Sequence, residues 1–223
     1  MQNILSNIII SVNDKLYVKN PETSELGKKI IEQSILLIDE IGFENFTFKK
    51  LGEKISSNES SIYRYFESKH KLMLYLSSWY WGWIEYKLAF ATTNVSNPME
   101  RLKKGITIVT EKVEDDSATL HINEAILNKI IIQEFTKTLL TKEVDEENKI
   151  GFFLVYKRVI NRIIEMINEV NPNYAFAKSL ASSIVEGALH QHFLKDHLKT
   201  ITNCNETVSP TDFYINLIEN TLR

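Results

Sequence analysis

Chain breakers are scarce in this sequence. Seven glycines and four prolines punctuate 223 residues, and folds built on many tight turns, such as β-sandwiches and barrels, need more of them. Between the breakers, apolar residues recur at the spacing of one helical face. After Ser24 come Ile30, Ile31, Ile35, Leu37, Ile38 and Ile41 in that period, and Gly42 ends it. The same spacing predicts a helix over 47–55, with Thr47 as N-cap and Phe48, Leu51 and Ile55 inward, and another from Asn58 that buries Ile62 and Phe66. Further helices are expected over 68–93, 98–114, 122–140, 150–170, 174–198 and 210–222. The run Ile130-Ile131-Ile132 alone fits a buried strand equally well, and the charged segment 141–149 reads as a solvated turn or a helix start. The expected fold class is all-α, with about nine helices.

Composition narrows the function. Hydrophobic residues make up 43% and charged residues 25%, which suits a globular chain and argues against long disorder. At this length a core needs no disulfide or metal staple. The single cysteine, Cys204, excludes an internal disulfide framework and a cysteine-rich zinc module, and fits a reducing, cytoplasmic compartment. With 26 basic and 29 acidic residues the net charge is -3, so the chain is no polycation that coats nucleic acid or anionic membrane. No window approaches the roughly 18 unbroken apolar residues of a membrane span. The apolar start, residues 1–12, lacks a basic n-region, is interrupted by Asn3 and Asn7, and has no A-x-A site after it. It is expected to be a short extension that packs on the body or on a partner subunit, or that frays.

The most specific stretch reads Gly42-Phe43-Glu44-Asn45-Phe46-Thr47-Phe48-Lys49-Lys50-Leu51, then Ser61-Ile62-Tyr63-Arg64-Tyr65-Phe66-Glu67-Ser68-Lys69. It resembles the amino-terminal DNA-binding domain of the tetracycline-repressor (TetR) family. That pattern is a helix, a Gly-aromatic turn, a Thr opening the second helix, a short recognition helix ending in Leu-Tyr-x-His/Tyr-Phe, and a Lys opening the fourth helix. The resemblance covers the first third of the chain. It implies an extension at 1–22, a three-helix helix-turn-helix head at 23–70, and a helical ligand-binding and dimerisation body at 71–223, joined by a long helix. It also implies a homodimer on a near-palindromic double-stranded DNA operator, more often a repressor, released by a small-molecule effector.

The residues themselves suit that role. A helix-turn-helix lays its second helix in the major groove while neighbouring elements hold phosphates. From Asn58 the recognition helix would present Glu59, Ser60, Ser61, Tyr63 and Arg64. Thr47 and Lys69 sit at helix starts, where free N–H groups and the dipole favour a phosphate. Tyr63 and Tyr65 can reach phosphates with their hydroxyls. Such contacts set position, whereas base-edge contacts set sequence. Between Glu44 and Lys71 lie six basic and four acidic residues, a local +2 that leaves -5 for the rest of the chain. Two features depart from the pattern. Ile55-Ser56-Ser57 stands where the family has Ala-Gly-Val, and Ser56 lacks glycine's freedom at positive φ, so the turn is expected to be strained or differently shaped. Glu59 stands where a basic or amide residue is common. It either accepts from cytosine N4 or merely satisfies the helix start.

Between Tyr75 and Phe90 the aromatic residues Trp79, Trp83, Tyr86 and Phe90 share one helical face. They serve core and subunit packing or, as the resemblance implies, the wall of a ligand cavity, with His121, Tyr156 and Arg158 as polar anchors. Glu186, His190 and His197 share a face and His192 lies beside them. No convincing further ligand set accompanies them, so neither a metal nor a cofactor is expected. The face formed by Ala177, Ala181, Ile184, Ala188 and His192 is small enough for two helices to approach. Ile184, Ala188 and His192 are therefore expected at the dimer contact that the resemblance implies. No catalytic motif is present, and the chain is not expected to be an enzyme. The alternative is a ligand- or partner-binding helical protein whose head no longer reads DNA.

Overall fold

The computed structural model describes residues 10–113 and 121–223. Among these lie ten α-helices, three 3-10 turns and no strand. The helices are α1 (Glu25–Ile41), α2 (Phe48–Ile55), α3 (Glu59–Tyr63), α4 (Lys69–Thr92) and α5 (Pro98–Thr110), followed by α6 (Glu124–Leu139), α7 (Val144–Ile150), α8 (Leu154–Val170), α9 (Ala177–His197) and α10 (Pro210–Thr221). The all-α expectation holds, with one helix more than expected. The addition is α7, which forms in the charged segment 141–149 and ends where Gly151 turns left-handed (φ 94°). Ile130, Ile131 and Ile132 are helical, inside α6. The expectations for residues 1–9 and for the end of the helix at Glu114 fall outside the described residues.

The chain forms two compact units that interleave in sequence. The first comprises Met1–Tyr80 and Val113–Phe153, and the second Trp81–Lys112 and Leu154–Arg223. The sequence reading divides the chain at 22/23 and at 70/71. The long helix α4 contributes Lys69–Tyr80 to the first unit and Trp81–Thr92 to the second.

In the first unit the isoleucine face of α1 makes the core. Ile30, Ile31, Ile35 and Ile38 are buried with Phe46, Leu51, Ile62 and Phe66, and each such side chain contributes about 1.5–3 kcal/mol by leaving water. Local chemistry sets the helix ends. Ser24 Oγ accepts from Gly27 N, Thr47 Oγ1 from Lys50 N and Asn58 Oδ1 from Ser61 N, each satisfying an orphan donor. Between α2 and α3 the turn is left-handed at Ser56 (φ 55°, ψ 44°), whose N–H bonds back to Glu53 and Gly52. The expected strain is thus located, since a residue with a Cβ loses about 1–2 kcal/mol there. Gly52 is required for close approach, because a Cβ on it would lie 2.8 Å from the Ser57 carbonyl oxygen. From later in the chain, α6 adds the Lys129–Asp39 ion pair. Asn128 donates to the Tyr80 hydroxyl (2.8 Å) and accepts from Val113 N (3.4 Å).

In the second unit α8 buries Val155, Val159, Ile163 and Ile167 among Leu102, Ile106, Ala181, Ile184 and Val185. Ser209 and Asp212 close a capping box that starts α10. The buried imidazole of His192 donates from Nε2 to the Thr110 carbonyl oxygen (2.8 Å). Burial holds its pKa below the ordinary histidine value, against the smaller opposing effect of that hydrogen bond.

Replacing Ser56 by Gly relieves the left-handed penalty at the cost of chain entropy. It is expected to stabilise the fold by about 1 kcal/mol, a rise in Tm of about 2–4 °C in a thermal melt. His192 is neutral when folded and takes a proton more readily when unfolded, so the unfolded state binds more protons as pH falls below about 6.5. Stability from denaturant titration is therefore expected to drop from about pH 7 to about pH 5, and the drop to shrink in His192→Gln.

Candidate functional site

The exposed end of the head is built by two short helices and their caps. Asn58 Oδ1 gathers Ser61 N (2.8 Å), Ser61 Oγ (2.7 Å) and Ser60 Oγ (2.7 Å). Both serine hydroxyl protons are therefore turned inward, and their lone pairs remain as acceptors. Glu59 is half-buried at the first position of α3. Ile62 is fully buried and anchors the helix. Tyr63 is 49% exposed, its ring edge-on to Phe48 with centroids 5.0 Å apart. Arg64 is exposed at the C-cap. Thr47, Asn58, Ser60, Tyr63 and Arg64 thus sit at the surface of the head, joined by Ser61 and Glu59 at its margin.

Two expected phosphate contacts need correction. Tyr65 is only 3% exposed, and its hydroxyl is paired with Ser24 Oγ (2.8 Å). It fixes the head and does not reach outward. The Lys69 ammonium donates to the carbonyl oxygens of Phe43 (3.0 Å), Glu44 (3.1 Å) and Phe46 (3.3 Å) and lies over the Phe43 ring. All three of its protons are engaged, so it secures the turn between α1 and α2.

The other cations of the head are divided in the same way. Lys54 pairs with Glu40 (2.6 Å), Lys50 donates to the Asn45 carbonyl (2.9 Å), and Lys71 lies 4.0 Å from the Phe152 ring centroid. Lys29, which sequence reasoning passed over, caps α2 through the Ile55 carbonyl (3.1 Å). Of the six basic residues between Glu44 and Lys71, Lys49 and Arg64 are left free for direct contact among the described residues. The local +2 overstates what the head can offer to a phosphate.

The expected ligand residues lie in different places. In the first unit Trp79 is buried on α4, and His121 is bonded through Nε2 to the carboxylate of Glu22 (3.0 Å), which also accepts from the Tyr75 hydroxyl (3.1 Å). Burial pushes the Glu22 carboxyl up, but these two partners outweigh it and hold it below the usual carboxylate range. In the second unit Trp83 is buried beneath the Lys87 ammonium (4.6 Å), Tyr86 is half-buried and Phe90 is 74% exposed. Tyr156 packs its ring on Trp81 (5.1 Å) and donates to Glu186. Burial, then the hydrogen bond to Glu186 and its charge, raise its pKa well above the ordinary value, so it stays protonated. Arg158 is held by Glu85 in two parallel hydrogen bonds, Nε to Oε1 and Nη2 to Oε2, with Arg162 on the same carboxylate. Elsewhere in this unit a groove of about 560 Å³ opens beside Gln191, Cys204, Val208, Asp212 and Phe213, and none of the expected ligand residues lines it.

The dimer residues also need correction. Ile184 and Ala188 are buried in the core of the second unit, and His192 is turned in to Thr110. The helical period puts these small and branched residues on the inward stripe of α9. Its outward stripe carries Ser179, Ser183, Glu186, His190 and His197. Among the described residues no group of three or more His, Cys, Asp or Glu is disposed to hold a metal ion, and no helix is long and apolar enough to cross a membrane.

A sequence profile of the bacterial regulatory proteins of the tetR family matches residues 30–76. No curated protein is significantly similar in sequence. Among solved structures, the superantigen PfiT superposes with a TM-score of 0.59 at 14% identity, covering 91% of this chain and 98% of that one. AibR in complex with isovaleryl coenzyme A and operator DNA gives 0.55 at 16% identity, covering 84% and 95%. PfmR from Thermus thermophilus, a TetR family transcriptional regulator, gives 0.57 at 12%, covering 87% and 97%. At such identities the superpositions establish a common fold. Residues 30–76, from α1 into α4, thus carry the pattern of the tetR-family bacterial regulatory proteins, and the chain shares its fold with regulators of that family.

Proposed function

We propose that the chain is a ligand-responsive, cytoplasmic transcription regulator that binds a near-palindromic operator as a homodimer and, as a repressor, is released by a small-molecule effector. The observation that carries this reading is the outward set Asn58, Glu59, Ser60, Tyr63 and Arg64 on a rigidly capped, well-anchored short helix. Tyr63, Arg64 and Thr47 would position the head on phosphates, while Glu59, Ser60 and Ser61 would face base edges as acceptors. Acceptors of this kind suit the N4 amino group of cytosine. Residues 23–70 would act as the reading head and residues 71–223 as the ligand-binding and dimerisation body, with 1–22 as an extension. AibR, of the same fold, has been captured with both a ligand and operator DNA, which supports pairing the two activities here.

An effector can move such a regulator only through different affinities for two states. Trp83, Tyr86 and Tyr156 of the second unit would line its site, the Tyr156–Glu186 hydrogen bond supplying a polar anchor. Two copies would meet across the outward stripe of α9 and the neighbouring exposed Phe213 of α10, and would set two heads on successive major grooves.

A second reading has its own support. Most of the head's lysines are engaged internally, Glu59 places a carboxylate at the helix tip, and the fold is shared with a protein described as a superantigen. On that reading the head binds a partner protein and not DNA.

Selection from a random duplex pool at near-physiological salt separates the two. The wild type is expected to enrich a two-fold symmetric site, and Tyr63→Ala with Arg64→Ala to enrich none, whereas no enrichment by the wild type favours the second reading. Glu59→Gln is expected to change the winning sequence; an unchanged winner removes Glu59 from base readout. In sedimentation the wild type is expected to run as a dimer and Ser183→Arg to shift it towards monomer, while a wild-type monomer at tens of micromolar overturns the operator arrangement.

A further inference from the structure

Residues 13–24, before α1, are tied down by a run of caps, hydrogen bonds and ring contacts. Asn13 caps a 3-10 turn (Asp14–Leu16) and donates to the Ile150 carbonyl, and Leu16 is buried. Tyr17 packs edge-on against Tyr75 at 6.1 Å. Val18 N donates to the Tyr65 carbonyl (2.8 Å), and Lys19 Nζ lies 5.2 Å from the Tyr65 ring centroid. Asn20 caps a second turn (Pro21–Thr23), and Pro21 packs so closely on α1 that a Cβ on Gly27 would lie 2.2 Å from its carbonyl oxygen. Glu22 takes hydrogen bonds from Tyr75 and His121, and Ser24 pairs with the Tyr65 hydroxyl. This strap therefore crosses the end of the recognition helix at the residue directly after Arg64.

What it leaves outward is specific. Val18 is 60% exposed and Lys19 is exposed, and both lie outside the stretch matched by the family profile. The nearby carboxylates are accounted for in part: Glu22 is engaged with Tyr75 and His121, Glu25 pairs with Lys28, and Glu67 and Asp14 are exposed. Lys19 has a fixed backbone and no carboxylate partner among the described residues. A lysine whose backbone is already fixed has only its side chain to order when it meets a phosphate, and this one stands beside a head with few cations left for direct contact.

We infer that residues 18–19 form a second DNA-contacting element, in which Lys19 holds a backbone phosphate beside the end of the recognition helix. This rests on the DNA-reading function proposed above. Val18, which covers the Tyr65 carbonyl, sets the height at which the lysine meets the duplex. The contact is to the backbone, so it adds affinity without adding sequence preference.

The test is the salt dependence of binding to the operator recovered by selection and to an unrelated duplex. Neutralising a phosphate contact releases counterions, so each contact contributes about 0.9 to the slope of log K against log salt. Lys19→Gln is expected, for each lysine engaged, to make the slope shallower by about 0.9 and to weaken both duplexes by roughly an order of magnitude at 0.1 M salt. Lys19→Arg is expected to retain slope and affinity, and Lys142→Gln, the same charge change at an exposed site after α6, to leave both unchanged. Weaker binding with an unchanged slope assigns Lys19 to holding Tyr65 and overturns the inference. An equal effect from Lys142→Gln reduces it to bulk charge and also overturns it. A slope and affinity both unchanged in Lys19→Gln overturn the strap contact while leaving the head's reading of DNA intact. A wild type that selects no site overturns both.

Discussion

A helix of five residues cannot hold its own shape in water, because nucleation fixes more dihedrals than its few hydrogen bonds repay. The helix Glu59–Tyr63 is that short, and the architecture of the head follows from the need to hold it. Ile62 and Phe66 sink into the core from below, Asn58 caps its start, and Tyr65 clamps its end through both carbonyl and hydroxyl. The left-handed turn at Ser56 sets its angle to α2, at a conformational cost that tertiary packing offsets.

The same requirement uses up charge. An ammonium group that bonds three carbonyls, as Lys69 does, stabilises a turn and in return gives up its freedom to reach a ligand. Lys29 and Lys50 do similar work at α2 and at the loop before it. Counting lysines in a sequence therefore measures net charge and not the number of groups presented outward. For a reader of DNA that difference decides how much affinity comes from phosphates and how much from base edges.

In the second unit Trp83 and Tyr156, proposed to meet an effector, already have partners within the chain, the Lys87 ammonium over Trp83 and Trp81 with Glu186 against Tyr156. Tyr156, protonated and bonded to Glu186 beside Trp81, is a satisfied polar group in a mostly apolar setting. A ligand entering there must replace each of those contacts, which gives chemical selectivity.

The sequence alone determined the fold class, the starts of the first three helices and the family pattern of the head. Scarce breakers, the isoleucine period of α1, the caps Ser24, Thr47 and Asn58, and the Gly42 to Lys69 pattern are local signals, and each is read without knowledge of distant residues. Even the strain at Ser56 was legible, since only its side chain and the turn type matter. The segment 141–149 left a solvated turn and a helix start both open, because its charged surface leaves too few apolar positions to show a period. Which way a side chain faces was decided by tertiary structure. Tyr65, Lys69, Ile184, Ala188 and His192 all have chemistry suited to an outward role. The packing of α3 under the strap, of α4 against the turn at residues 43–46, and of α9 in its own core turned each of them inward. A single sequence records which residues share a face, and only the packed fold assigns that face to a neighbour or to water.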